Sequence, residues 1–302
     1  MISDITQNLT PALRELADAI DKLADLVEQQ KSLDGVEPAR QLSIIKERFS
    51  RITVPQGAAN AWQAKYKKGY LKSWLKNRGI VPAQATESLK GNQYVADTAS
   101  YLAEHFEYLA EFYQKLKYGQ SQKRNFTFKG EKDSLPYIRK WCVMLKSNRF
   151  IDTSVEKEDG VYVDIAELAE ATGFINGYWL EIYLRAMISS LLKNNPEKVE
   201  SFDVLSQVQL LKADGKFTEF DLLIMLNSKV YWFECKSGDV GRYYRLFQEH
   251  REMLGLALNN SIAVIPETNV HMLANFKNKS GMQCFDATEL EEQLYYLFFK
   301  KQ

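Results

Sequence analysis

The sequence predicts an α/β (α+β) fold, a mixed β-sheet flanked by helices, behind an N-terminal helical region. Three observations carry this. The stretch from Phe217 to Gly238, FTEFDLLIMLNSKVYWFECKSG, reads as two apolar strands around a short polar turn. Ser261 to Ile265 is apolar throughout and follows a helical stretch, so the chain crosses from a strand through a helix to a further strand, which makes that pair parallel. The first part of the chain carries helical periodicity and no strand-led βαβ series.

Residues 1–96 are expected to be the helical region. Leu9, Leu13, Leu16, Ile20, Leu23 and Val27 recur at alternating steps of four and three, with Thr10-Pro11 as cap and first helical residue. So short a heptad seam suits one helix of a bundle or a coiled coil that pairs two copies of the chain into a homodimer. Gly35 to Pro38 ends it. Between Trp62 and Arg78 there is no acidic residue, and Lys65, Lys67, Lys68, Lys72 and Lys76 alternate with aromatics. Such a patch attracts phosphate backbones and offers rings for bases; the same text also fits an amphipathic helix burying Leu71 or Leu75. Residues 83–96 read as a linker.

Residues 97–172 are expected to form a winged-helix-like domain. Asp97 or Thr98 caps a helix running to about Lys117, Ser134 opens a second, and Phe150 to Ile165 reads as a hairpin around the polar turn Glu156 to Gly160. The acidic tip, EKED, points to dimerisation or linking more than to reading DNA.

Residues 173–302 carry the sheet. A helix from Tyr178 to Asn194 opens the region, with Glu181 in its first turn and Arg185 four residues on as a possible ion-pair partner. Asp203 to Leu211 is a strand, followed by the central hairpin. A helix from about Gly241 to Leu258 presents Arg245 and Gln248, which read as phosphate contacts or as solvated surface, and a last helix spans Thr288 to Phe299.

Four charges interrupt the apolar hairpin: Glu219, Asp221, Glu234 and Lys236. If Asn227-Ser228 is the loop, Leu226 faces Lys229, Asp221 faces Glu234 and Glu219 faces Lys236. Carboxylates opposed on a sheet repel, so something positive is expected between them: a hard cation such as Mg²⁺ or Mn²⁺, with the lysine beside it. An ordinary surface hairpin with cross-strand Glu-Lys pairs is the plainer alternative. It sits poorly with strands apolar on both faces.

Asp221, twelve intervening residues and then Glu234-Cys235-Lys236 resembles the PD-(D/E)XK nuclease motif. Upstream, Asn176-Gly177-Tyr178-Trp179-Leu180-Glu181 is similar to the G-x-W-L-E element of the CRISPR-associated nucleases in which this domain is fused to a CARF domain. The resemblance covers roughly Phe174 to Glu267 and does not extend to a CARF domain. It implies a restriction-endonuclease-like core and a metal-dependent endonuclease cutting nucleic acid, DNA favoured and RNA possible, in defence against foreign DNA. It further implies catalytic Glu181, Asp221, Glu234 and Lys236. The metal would sit on Asp221, Glu234 and the Cys235 carbonyl, with Glu181 as a further ligand; strand alternation, which puts Glu219, Asp221, Leu223 and Met225 on one face, adds Glu219 as a candidate to complete the shell. A binding protein on the same fold without turnover is the alternative.

Composition bounds the rest. The 302 residues carry 39 basic and 39 acidic side chains, so nucleic-acid affinity must come from local patches. Three separated cysteines read as reduced thiols in a cytoplasmic protein. No apolar run approaches the roughly 20 residues of a membrane span.

Overall fold

The computed structural model describes residues 64–300, apart from 90, 123, 212–214, 216, 239 and 267–269. The heptad seam at Leu9 to Val27, Trp62, and the expected absence of a CARF domain lie outside the described residues. Those that are described belong to one unit, Asn60–Gln302.

Its centre is a six-stranded sheet of β1 (Pro82–Thr86), β5 (Phe202–Leu211), β6 (Phe217–Leu226), β7 (Lys229–Cys235), β8 (Ser261–Ile265) and β9 (Gln283–Asp286), in that spatial order. β1 to β7 pair antiparallel, whereas β7–β8 and β8–β9 are parallel. The mixed sheet is therefore as expected. The Asn227-Ser228 loop is also observed: both residues are left-handed, with φ of 48° and 66°, and Leu226 faces Lys229. A two-residue turn of that hand matches strand twist, and the Asn227 side chain adds bonds to Glu200 N at 2.7 Å and from its Nδ2 to Lys198 O at 2.8 Å.

Two apolar layers flank the sheet. On one side lie helix Trp179–Asn194, the C-terminal helix Leu290–Tyr295 and, continuous with them, helices Gln93–Glu104, Phe106–Ser121 and Leu135–Ser147. On the other lie helices Tyr70–Lys76, Tyr244–Leu254 and Val270–Ser280. Leu71 and Leu75 are fully buried in this second layer, so the basic stretch is anchored as an amphipathic helix. Asp203 fixes its start by accepting from Leu71 N at 2.8 Å.

Three expectations change. Residues 83–96 are not a linker: they hold most of edge strand β1 and the first turn of helix Gln93–Glu104, which is capped by Asn92 Oδ1 accepting from Tyr94 N at 3.0 Å. The cap is thus Asn92, not Asp97 or Thr98. The expected single helix to Lys117 breaks at His105, where φ −124° and ψ 27° leave the helical region. Finally, β2 (Asn125–Lys129) adds a third strand to the hairpin of β3 (Ile151–Lys157) and β4 (Gly160–Ile165), in the spatial order β2-β4-β3. Helix Val270–Ser280 and β9 were not anticipated. The apolar layer runs across residues 172 and 173 without a break, because Trp179 packs against Phe106 and Tyr113 at ring distances of 6.2 and 5.9 Å.

Candidate active site

Strict alternation fails at one level of the sheet. Phe220 and Leu223 lie in one apolar layer while Leu222 lies in the other, so the faces of β6 slip by one residue around Asp221. β5 slips at the same level: Leu205 and Val208 share a layer across Gln207, whose φ is 51°. Gln207 and Asp221 stand opposite each other, between the pairs Ser206↔Leu222 and Val208↔Phe220. The four-residue face Glu219, Asp221, Leu223, Met225 expected from simple alternation is thereby broken.

The slip lets Asp221 reach across to β7. Its Oδ2 accepts from Cys235 N at 2.7 Å and lies 3.5 Å from Lys236 Nζ. Lys236 Nζ also donates to Glu234 Oε1 at 3.1 Å, and Glu234 Oε2 accepts from Trp232 Nε1 at 3.1 Å. Asp221 and Glu234 are buried, and Lys236 is mostly so. The lysine ammonium thus lies against both carboxylates.

Glu181 comes from the opposite element. A π-helical turn, Phe174–Tyr178, runs into helix Trp179–Asn194, and Gly177 breaks it with φ 130°. A Cβ at Gly177 would stand 2.5 Å from Ser237 Oγ, so only glycine lets this turn close on the strand end beyond Lys236. Glu181 Oε2 is then buried without a hydrogen-bond partner. Arg185 does not hydrogen-bond it; its Nη2 donates to Tyr178 Oη at 2.7 Å.

Electrostatics follow from burial and crowding. Burial, then Asp221, pushes the Glu181 carboxyl up, and Glu219 and Glu234 add to it against Arg185. Burial and Asp221 likewise raise Glu234, and burial raises Asp221 in spite of Lys236. For Lys236 burial works the other way, yet Glu234 and Asp221 outweigh it and hold its ammonium above the ordinary lysine value.

The cavity at this point encloses about 330 Å³ and is lined by Glu181, Cys235 and Lys236 together with Lys117, Ser237 and Arg242. Lys117 donates to Ser237 O at 3.3 Å and Oγ at 3.4 Å, and Tyr113 Oη donates to the same Oγ at 3.1 Å. Burial holds the Lys117 ammonium below its ordinary value. Lys117, Arg242 and Ser237 escaped sequence reading because their cue is spatial; only the Gly177 element pointed here.

Other expected site residues lie elsewhere. Glu219 is exposed, and its Oε2 accepts from Gln209 Nε2 at 3.1 Å across β5; the β6–β7 pairing stops at Leu222↔Phe233, before Lys236. Lys68 and Lys72 both pair with Glu87, and Lys65 donates to Pro196 O. Lys67 and Lys76 are exposed. Arg245 pairs with Glu249 at 3.0 Å, and Gln248 donates to Lys279 O at 2.9 Å, neither lining the cavity.

Among the described residues, no three His, Cys, Asp or Glu side chains stand at metal-ligating spacing. The donor chemistry nonetheless fits a hard divalent ion: oxygens only from Asp221, Glu234 and the Cys235 carbonyl, beside the orphaned Glu181 Oε2.

The fold is shared with solved structures, two of which are described. VC1899 from Vibrio cholerae superposes with a TM-score of 0.51 at 18% identity, over 76% of this chain and 61% of that one. Can2 from Sulfobacillus thermosulfidooxidans, in complex with cyclic tetra-adenylate, gives 0.54 at 14% identity over the same shares, 76% and 61%. This chain thus spans less than two thirds of either neighbour. The sequence matches no family model and no curated protein.

Proposed function

We propose that the protein is a divalent-metal-dependent endonuclease of the PD-(D/E)XK kind, hydrolysing phosphodiester bonds in nucleic acid with DNA favoured, and akin to the CRISPR-associated nucleases. One observation carries the reading: a buried Asp221-Glu234-Lys236 cluster faced by Glu181, whose Oε2 has no partner. Burying two carboxyls beside one lysine, with the Oε2 of a third, is costly for a merely structural hairpin. The fold shared with Can2 and the motif wording add support.

Mg²⁺ or Mn²⁺ would be held by Asp221, Glu234 and the Cys235 carbonyl, with Glu181 beside them. Bound there, it supplies a Lewis acid and a water of lowered pKa. Lys236 counters negative charge at the two carboxylates and at an incoming phosphate. Lys117 and Arg242 line the cavity and favour the anionic substrate, while Tyr113 and Ser237 fix the strand end that carries Lys236.

The test is cleavage of supercoiled plasmid, single-stranded DNA and RNA with Mg²⁺ or Mn²⁺, against an EDTA control, with and without cyclic tetra-adenylate, the ligand of Can2. Cleavage by wild type and its loss in Asp221→Asn and Lys236→Ala is the expected result. Equal cleavage by all three sinks the assignment. A second reading, a nucleic-acid-binding protein without turnover, is favoured by the Lys236 ammonium lying against both carboxylates; binding without cleavage in any arm selects it.

A further inference from the structure

Tyr178 is a wall shared by two cavities. One is the candidate active site; the other, about 1040 Å³, opens on its far side and is also lined by Tyr94, Arg149, Glu170, Arg185 and Gln207. Two guanidinium groups against one carboxylate give this second cavity a positive balance. Arg185 already donates to the Tyr178 hydroxyl, and its Nε is buried without a hydrogen-bond partner. Tyr94 is 76% exposed and offers an open ring at the rim.

Two of the lining residues are held by turns of the backbone. Arg149 and Gln207, with φ of 60° and 51°, are two of the five non-glycine residues in the left-handed region among those described, and both line this cavity. Both conformations have local causes: Arg149 closes helix Leu135–Ser147, with Arg149 N donating to Lys146 O and Phe150 N to Leu145 O, each at 2.9 Å, and Gln207 sits at the slip of β5. Gln207 further ties the cavity to the active site, standing opposite Asp221 on the neighbouring strand.

We propose that this second cavity binds one nucleotide of the strand being cut, adjacent to the scissile phosphate, with Arg185 and Arg149 taking phosphate and Tyr94 and Tyr178 offering rings to the base. The strand placement rests on the nuclease reading; the nucleotide chemistry stands on the cavity alone. Guanidinium groups match phosphate in paired hydrogen bonds, and base stacking on tyrosine tolerates any sequence. A free nucleotide shares this chemistry, so the two sources must be separated.

The experiment uses the full chain carrying Asp221→Asn, which keeps substrate uncut, with a fluorescein-labelled 12-residue single-stranded DNA read by anisotropy and adenosine monophosphate read by calorimetry. Arg185→Ala, and the rim variants Arg149→Glu and Tyr94→Ala, are each added to it, with melting temperatures as the control for folding. The expected result is oligonucleotide affinity roughly tenfold weaker in each variant, with a shallower salt dependence for the arginine changes. Oligonucleotide affinity within twofold of the parent in all three overturns the strand proposal, and if adenosine monophosphate alone responds to them, the site belongs to a free nucleotide. Plasmid cleavage by the otherwise wild-type chain separates the two readings: cleavage with insensitive binding removes only the cavity assignment, whereas variant-sensitive binding without cleavage removes only the nuclease.

Discussion

At Glu181, burial and like charge act in the same direction, Arg185 only partly offsets them, and Oε2 has no hydrogen-bond partner. Glu181→Gln removes the charge and keeps the shape. It should lower cleavage by at least about 100-fold while raising the melting temperature by roughly 2–4 °C, the equivalent of about 1 kcal/mol in a chain of this size. The sign with pH follows from a folded-state pKa above the unfolded one: stability is fully present below the ordinary carboxylate value, about 4.3, and is lost as pH rises through the raised native value. The gap between variant and wild type should therefore widen from about pH 5 upward, as differential scanning fluorimetry without metal would show; a constant gap would mean that the Glu181 charge is not the cause. That Asp221, Glu234 and Lys236 come together was legible in the sequence, because all three lie on one local hairpin. Glu181 became a candidate only through the Gly177-Tyr178-Trp179 wording beside it. Lys117 left no local sign, being 120 residues from Ser237 along the chain.

At the scale of elements, two predictions concern how pieces are fastened. Ser228 holds φ 66° in the β6–β7 loop, a conformation natural to glycine, and its side chain is outside every hydrogen bond that shapes the turn. Ser228→Gly should stabilise by about 0.5–1 kcal/mol in urea unfolding; no gain would mean the loop conformation is not strained. Asp203 secures helix Tyr70–Lys76 from inside the sheet. Asp203→Ala should cost about 1–3 kcal/mol and open residues 64–80 to protease before the rest of the chain. The hairpin was readable since its turn and apolar runs are local. Strand β1 was not, because Pro82–Thr86 is short and polar and is ordered by pairing with β5, residues more than 100 positions away. The helix break at His105 was hidden by an apolar stripe that continues through it.

For the whole molecule, the apolar layer from helix Gln93–Glu104 to the C-terminal helix runs through both halves of the expected 97–172 and 173–302 division. A fragment of residues 173–302 would expose the faces of Trp179 and Leu180 that Phe106 and its neighbours cover. It should fail to fold alone by circular dichroism, and residues 60–302 should melt in a single calorimetric transition. Two resolved transitions would show that the halves are independent. Sequence reading places a border there because helix, helix and hairpin fit a winged-helix plan and the nuclease resemblance begins at about Phe174, whereas burial across the border depends on which faces meet. No described helix is long and apolar enough to cross a membrane, in line with the sequence.

The closure at Ser237 has a consequence for descent. Its hydroxyl meets Tyr113 from one half of the chain and sits against Gly177 from the other, with 2.5 Å where a Cβ would be. A mutation at any one of the three positions is therefore judged against the other two. Lineages that exchange Ser237 for a bulkier residue should change Tyr113 as well, whereas Gly177 should stay fixed wherever Glu181 does.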